Sequence, residues 1–274
     1  NRRRRGFNIF SRRRRRQTSS LRCQGIPGLS LQETLAHEPL EQRRLLAVDV
    51  ALDSSGVLNV DFDDTSHDVV DLQINATGYS YIATIDGAAQ PSVSANGTVT
   101  GLNVTDNDNQ YSSEFILSDA SQNLSEGLVI AEKVESANIT SDVTTSTSNG
   151  AVVIDSTNLF LSGDIHSAAA SQTYNSSVLL ADDVSLETGT GVAGDLKIRF
   201  KGTVDSENSG GGPGPFNLTL ESEAIHAEGD IGAFNPLESF SAYSVNDTEE
   251  RGQFYSSVKT DGLESYKAGT NSGD

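Results

Sequence analysis

The sequence predicts an all-β protein, a β-solenoid of short stacked strands that follows a disordered, arginine-rich leader. Three observations lead to this prediction. The chain contains no Trp or Met, and beyond the leader it is rich in Ser, Thr, Asn, Asp, Gly and Val, a composition that favours strands and turns over long helices. Short runs of alternating apolar and polar residues recur along it, and one tripeptide returns at roughly regular distances.

The leader covers residues 1–47 and holds most of the positive charge. Up to Leu46 it contains 12 Arg and 3 Glu, whereas the whole chain has a formal net charge of -19, so the body is strongly acidic. The arginine blocks at residues 2–5 and 12–16 predict disorder because like charges repel and bury no apolar area. Neither an apolar signal-peptide run of about 7–15 residues nor a membrane span of about 18–20 residues is present.

Three uses of the leader remain open: an address for export, a solvated basic arm, and a nucleic-acid-binding arm. The last is disfavoured because the acidic body would repel a polyanion and because only Phe7 and Phe10 could stack on bases. We therefore expect no nucleic-acid partner. A short amphipathic helix over residues 31–47, interrupted by Pro39, is the structural alternative to a sorting signal.

The leader ends in a short Leu- and Arg-containing motif formed by Leu40, Glu41, Arg43, Leu45 and Leu46. This segment resembles the N-terminal segment of LEPR-XLL-type bacterial surface proteins. Gln42 stands where that family usually has Pro, and Arg44 occupies the variable position. The resemblance implies sorting of a larger protein to the bacterial cell surface.

The body begins at Val48, and its alternating runs predict half-buried strands because alternate residues of a strand face the same side. Polar turn residues separate the runs. The clearest ones cover residues 57–62, 69–74, 79–85, 151–154, 158–161, 195–200 and 216–220.

A repeated tripeptide favours a solenoid over a sandwich or a barrel. Gly-Asp followed by Ile or Leu begins at Gly163, Gly194 and Gly229, so the spacing is similar but not constant. A drifting period of this kind is typical of a solenoid whose corners accept insertions, and residues 207–215 are predicted to be one such insertion.

Residues 163–204 are also similar to the repeats of filamentous-haemagglutinin-like adhesins and autotransporter passengers, with an echo over residues 216–245. This resemblance implies a right-handed parallel β-helix.

We expect a β-rich lead-in or N-terminal coils at residues 48–135, solenoid repeats at 136–250 and a polar tail at 251–274. The absent initiating Met and the polar tail lead us to expect a fragment of a larger protein.

Residues that could carry catalytic or metal chemistry are few. The histidines are His37, His67, His166 and His226, and no metalloprotease, nucleophile-elbow or P-loop pattern occurs. Period two places Asp164 beside His166, and His226 beside Glu228 and Asp230; we interpret both groups as solvated. It likewise places Lys197, Arg199 and Lys201 on one face, as a solvated basic stripe.

We expect no catalytic residues and no cofactor. The oxygen-rich stretches 61–64 and 106–109 suit weak binding of Ca²⁺, but they do not match a dedicated calcium loop. The single cysteine, Cys23, lies in the leader, which excludes disulfides and thiolate metal sites from the body.

The sequence as a whole predicts a non-catalytic, adhesin-like structural protein, secreted or displayed on a bacterial cell surface. Its partners would be cell-surface or matrix components or a polysaccharide. The alternative is the non-catalytic lead-in of a larger surface enzyme or of a β-helix protein that acts on polysaccharide.

Overall fold

The computed structural model describes residues 48–62, 67–107, 113–189, 196–207 and 214–244, together with residues 253–254, 258, 260 and 264–268. All of them belong to one compact unit, residues 44–274.

The described residues form strands and no helix. In chain order the strands are β1 (Val48–Leu52), β2 (Val57–Phe62), β3 (Asp68–Asn75), β4 (Gly78–Ile85), β5 (Ala88–Ala89), β6 (Val93–Asn96), β7 (Gly101–Asp106), β8 (Glu114–Ala120), β9 (Gly127–Ile130), β10 (Ser136–Ile139), β11 (Val143–Thr145), β12 (Val152–Ile154), β13 (Asn158–Leu161), β14 (Ile165–Ser167), β15 (Gln172–Tyr174), β16 (Ser177–Leu180), β17 (Val184–Thr188), β18 (Lys197–Phe200), β19 (Val204–Ser206), β20 (Asn217–Ser222), β21 (Ala224–Ala227), β22 (Ser239–Ser244), β23 (Gln253–Phe254) and β24 (Glu264–Ala268).

The all-β prediction is confirmed for the described residues, and each of the predicted runs is a strand. Strands β2 and β13 have the predicted bounds, and the others differ by one or two residues at one or both ends. The alternating pattern is a good guide here because inward and outward positions along a strand differ strongly in burial. In β2, for example, Leu58, Val60 and Phe62 are buried and the residues between them are partly exposed.

Three sheets contain these strands. The first has the order β1-β2-β7-β9-β12-β15-β18-β21-β23, and the third has the order β11-β14-β17-β20-β22-β24. The second runs β19-β16-β13-β10-β8-β3-β4-β5, with β6 also paired to β4. Most neighbours are parallel; the antiparallel pairs are β1 with β2, β3 with β4, and β4 with both β5 and β6.

From β9 to β20 the chain visits the first, second and third sheets in a fixed order that repeats; we call one such set of three strands a circuit. Each strand pairs with its counterpart in the next circuit. Val152 is paired with Gln172, whereas Leu186 is paired with Leu220, which lies considerably farther along the chain. The length of a circuit therefore varies while the pairing of the strands is kept.

The inward residues of all three sheets form one hydrophobic cluster. Partners stack in columns across neighbouring strands because parallel pairing places equivalent positions side by side. One column of the first sheet contains Ile130, Ile154, Tyr174 and Phe200, all fully buried. Burying each large apolar side chain of this kind stabilises the fold by about 1.5–3 kcal/mol.

The N-terminal end of the stack is built differently. There β1 lies antiparallel along β2, and β4 lies antiparallel along β3 and carries β6 on its other side. These added strands cover backbone groups of β2 and β3 that would otherwise form an open sheet edge.

The three copies of the repeated tripeptide do not occupy equivalent positions. Ile165 begins β14 in the third sheet, Leu196 directly precedes β18 in the first, and Ile231 bridges Val204 of the second. The unit that repeats in the structure is the circuit. Equivalent positions in successive circuits are marked by small residues at one corner, Ser176, Gly202 and Gly229. A Cβ at Gly229 would overlap the backbone of Gly202, and a Cβ at Gly202 would overlap the backbone of Ser176.

This corner predicts that Gly202→Ala destabilises the protein by about 1–3 kcal/mol, because the added methyl group forces two strands apart. Thermal or urea unfolding followed by circular dichroism measures the loss. Lys201→Ala, at an exposed neighbouring position, is the control and should change the free energy of unfolding by less than about 0.5 kcal/mol. Equal unfolding midpoints for the two variants would contradict this close approach.

Candidate functional site

The sorting-like motif predicted at Leu40, Glu41, Arg43, Leu45 and Leu46 lies outside the described residues, as do Cys23 and His37. The role of the motif therefore stays a prediction. The other residues that the sequence indicated lie mostly within the described ranges, where their partners can be identified.

The two oxygen-rich stretches meet because β2 and β7 are parallel neighbours. Asp61 Oδ1 accepts a hydrogen bond from Thr105 Oγ1 at 3.1 Å, and Asn107 Nδ2 lies 2.7 and 2.8 Å from the two oxygens of the same carboxylate. These donors give Asp61 a structural role between the strands. Residues 63–64 and 108–109 lie outside the described ranges, and within those ranges no three His, Cys, Asp or Glu side chains converge as metal ligands.

Two ionisable residues of the histidine groups, His166 and Glu228, contact side chains of neighbouring strands. His166 Nδ1 lies 3.1 Å from Glu187 Oε2, and the two residues are side by side on β14 and β17. Glu228, which the sequence placed beside His226, accepts a hydrogen bond from Arg199 Nε at 2.8 Å. The pairing across strands thus decides which groups touch.

The predicted basic stripe lies on the outer face of β18. Ile198 and Phe200 are fully buried, whereas Arg199 and Lys201 are exposed and Lys197 is partly exposed. The common face of these three basic residues is thus confirmed. Arg199 is engaged by Glu228 on the following circuit.

Three aspartates lie at the corners that precede strands of the third sheet and bond to the next circuit. Asp142 Oδ1 accepts a hydrogen bond from the backbone N–H of Asp164 at 3.0 Å, and Asp164 Oδ1 accepts one from Ser185 N at 2.7 Å. Asp183 Oδ1 accepts one from Asn217 N at 2.8 Å. Each carboxylate thus satisfies a backbone donor of the next circuit, which gives part of the acidic composition a structural purpose.

A buried polar column, which the sequence did not lead us to expect, faces inward from the third sheet. Its hydroxyl-bearing members are Thr145, Ser167, Thr188 and Ser222, all essentially without solvent exposure. The first three follow one another in register, and Thr188 Oγ1 lies 2.7 Å from Ser222 Oγ. The sequence signal for such a column is a polar residue at a position of an alternating run where an apolar, inward-facing residue is expected.

Gln172 of β15 joins this column to the first sheet. Its Nε2 lies 2.7 Å from Glu187 O, 3.0 Å from Ile165 O and 3.2 Å from Ser167 Oγ. Its Oε1 accepts a hydrogen bond from Tyr174 OH at 2.7 Å. Burial raises the pKa of Tyr174 well above its ordinary value, so the hydroxyl remains a donor at physiological pH.

The column contains a natural pair for a stability test, because Thr145 Oγ1 is buried without a partner whereas Thr188 Oγ1 is bonded. Thr145→Val should raise the free energy of unfolding by about 1 kcal/mol, since it removes an unsatisfied buried group and keeps nearly the same shape. Thr188→Val should lower it by about 1–2 kcal/mol. Urea titration of both variants measures the change in the free energy of unfolding. A change of the same sign in the two variants would mean that the two hydroxyls do not differ in hydrogen bonding.

A cleft of about 530 Å³ lies beside β11, the terminal strand of the third sheet. The chain after β8 runs past this strand, and Leu124 N donates to Thr144 O at 2.9 Å. The cleft forms because no strand of the third sheet precedes β11 in the described residues. Its lining residues are Asp119, Ala120, Ser121, Gln122, Asn123, Ser141, Asp142 and Thr144.

Hydrogen bonds hold the lining of the cleft in place. Gln122 Oε1 accepts from Val99 N at 2.7 Å and its Nε2 donates to the carbonyl of Asn75. Asn123 Nδ2 donates to Ser146 Oγ at 2.7 Å. No local sequence signal marks this site, because residues 119–123 have the composition of an ordinary polar turn and only the sheet order brings residues 141–144 beside them.

Within the described ranges, no helix has the length and hydropathy needed to span a membrane. No protein-family model matches the chain, and comparisons with curated proteins and with solved structures found no match.

Proposed function

We propose that this chain is a right-handed parallel β-solenoid that serves as a non-catalytic, adhesin-like structural segment at a bacterial cell surface. The observation that carries the proposal is the repeated passage of the chain through three sheets, with each strand parallel to its counterpart one circuit later. Stacking of this kind makes stability a sum of repeat and neighbour interactions, which suits a stiff element that projects from a surface.

The outer faces support a role in contact with water and polar partners. Many outward positions carry polar side chains, as in β17, where Ser185 and Glu187 face outward and Val184 and Leu186 are buried. The resemblance of the leader to LEPR-XLL-type segments supports the location. The partners proposed are cell-surface or matrix components or a polysaccharide.

Surface display is tested with the full chain produced in a bacterium that carries LEPR-XLL proteins. Accessibility to an externally added protease or antibody reports the location. Replacing Leu40, Glu41, Arg43, Leu45 and Leu46 by alanine should abolish exposure at the surface, while replacing Leu31 and Leu35 should not. Unchanged exposure in the first variant would remove the sorting role of the motif.

A second candidate is the non-catalytic lead-in of a larger surface enzyme or of a polysaccharide-acting β-helix protein. The cleft beside β11, with the carboxylates of Asp119 and Asp142, is the observation that favours it. Release of reducing sugar from polysaccharides by the longer protein, but not by this chain, would support that candidate over the adhesin-like one.

A further inference from the structure

We propose that the cleft beside β11 binds a neutral, hydroxyl-rich saccharide, with the carboxylates of Asp119 and Asp142 as the principal hydrogen-bond acceptors. The proposal deepens the function proposed above, on which it rests for its biological setting, by naming a ligand class and a place for it. The physical argument for the site itself depends only on the cleft.

The size and accessibility of the cleft suit a small ligand or one unit of a chain. Its volume of about 530 Å³ lies within the about 300–1,000 Å³ typical of small-molecule sites. Ser121, Asn123, Asp142 and Thr144 at its border are exposed, so a bound sugar could continue as a longer chain into solvent.

The chemistry of the lining excludes other ligand classes in turn. Ala120 is the single apolar residue among the described residues that line the cleft, which leaves little to bind an apolar ligand. The same set contains no Lys, Arg or His, so phosphates and acidic sugars would meet uncompensated carboxylates. Ca²⁺ takes six to eight oxygen ligands, and among the described residues no group of three acidic or histidine side chains forms such a set.

What remains is a neutral ligand that donates hydrogen bonds. One oxygen of Asp142 is held by Asp164 N at 3.0 Å, which orients the carboxylate and leaves its other oxygen for a ligand. The amide of Gln122 and the Nδ2 of Asn123 are used to fix the loop. The groups that remain for a ligand are carboxylates and hydroxyls on a preorganised frame, and the neighbouring hydroxyls of a sugar ring are suitable donors to carboxylates.

The site also has a topological reason to exist. Among the described residues it lies where the third sheet begins, and the chain of the preceding circuit meets β11 through the bond from Leu124 N to Thr144 O without forming a paired strand there. Later circuits place a strand at that position.

The test uses the full chain on an array of neutral and acidic glycans, followed by calorimetric titration with the neutral oligosaccharide that binds best. Asp119→Ala should weaken binding by about tenfold or more, the usual effect of losing a hydrogen bond to a charged group. Thr144→Arg should abolish binding by filling the cleft. Glu132→Ala, which removes an exposed carboxylate outside the cleft, is the control and should bind as the unmodified chain does.

Circular dichroism and unfolding midpoints establish that the variants fold. The proposal is overturned if no neutral glycan binds, if Asp119→Ala and Thr144→Arg bind as well as the control, or if only acidic glycans bind. It is also overturned if Ca²⁺ alone binds and stabilises the chain in an Asp119-dependent way. If the chain is exposed at the cell surface but the cleft variants bind the glycan as well as the unmodified chain does, the cleft is not the binding site. The proposed surface function would stand in that case.

Discussion

Phe200→Ala is expected to lower the free energy of unfolding by about 3–5 kcal/mol. The ring is fully buried and stacks on Tyr174 with centroids 5.1 Å apart and planes 17° apart. Truncation would remove this aromatic contact and leave a cavity between β15 and β21 that the surrounding sheets can only partly fill.

Urea unfolding provides the measurement, supported by hydrogen exchange in β15, β18 and β21 because stacked repeats can lose cooperativity. Phe234→Ala is a matched control, since this phenylalanine is 79% exposed, and it should change stability by less than about 0.5 kcal/mol. If both variants unfolded at the same urea concentration, the result would contradict the burial of Phe200 between β15 and β21.

Gln172→Leu is expected to cost about 2–4 kcal/mol, although leucine is apolar and close to glutamine in size. The substitution takes the acceptor from the buried Tyr174 OH and removes the side-chain donor from the carbonyls of Ile165 and Glu187. Thr173→Ala, at the partly exposed neighbouring position, should be nearly neutral by comparison.

The double variant Gln172→Leu/Tyr174→Phe separates hydrogen bonding from packing. Because it removes both the acceptor and the hydroxyl that needs one, it should recover about 1–2 kcal/mol relative to Gln172→Leu alone. The cycle compares the unmodified protein, the two single variants and the double variant. If the effects of the two single substitutions on the free energy of unfolding simply added, the two side chains would not interact, contrary to the 2.7 Å contact.

The strands could be predicted from local pattern because inward and outward positions alternate within each one. The run over residues 158–161 shows this well: Leu159 and Leu161 are fully buried, while Asn158 is exposed. The common face of Lys197, Arg199 and Lys201 follows from the same period. These features depend on a few neighbouring residues, and no knowledge of distant partners is needed.

Partners across strands could not be predicted in this way. His166 contacts Glu187 of the next circuit rather than Asp164, which is nearer in sequence, because register between circuits depends on the length of each corner. The repeated tripeptide misled for the same reason: its last residue begins a strand of the third sheet at Ile165, precedes a strand of the first at Leu196 and bridges a strand of the second at Ile231. The cleft beside β11 is lined by two separate stretches of the chain, residues 119–123 and 141–144, and only the sheet order brings them together.

The unequal circuits have a practical consequence for engineering. Leu186 is paired with Ile165 on one side and with Leu220 on the other, although the chain that leads to Leu220 is much the longer of the two. The connection between β17 and β20 thus already accommodates additional chain without disturbing the ladder on either side. Foreign peptides grafted between Glu207 and Gly214 would leave both flanking strands in place, and loop length adds only about 0.6 kcal/mol for each doubling. We expect epitopes inserted there to be presented at a defined position between β17 and β20.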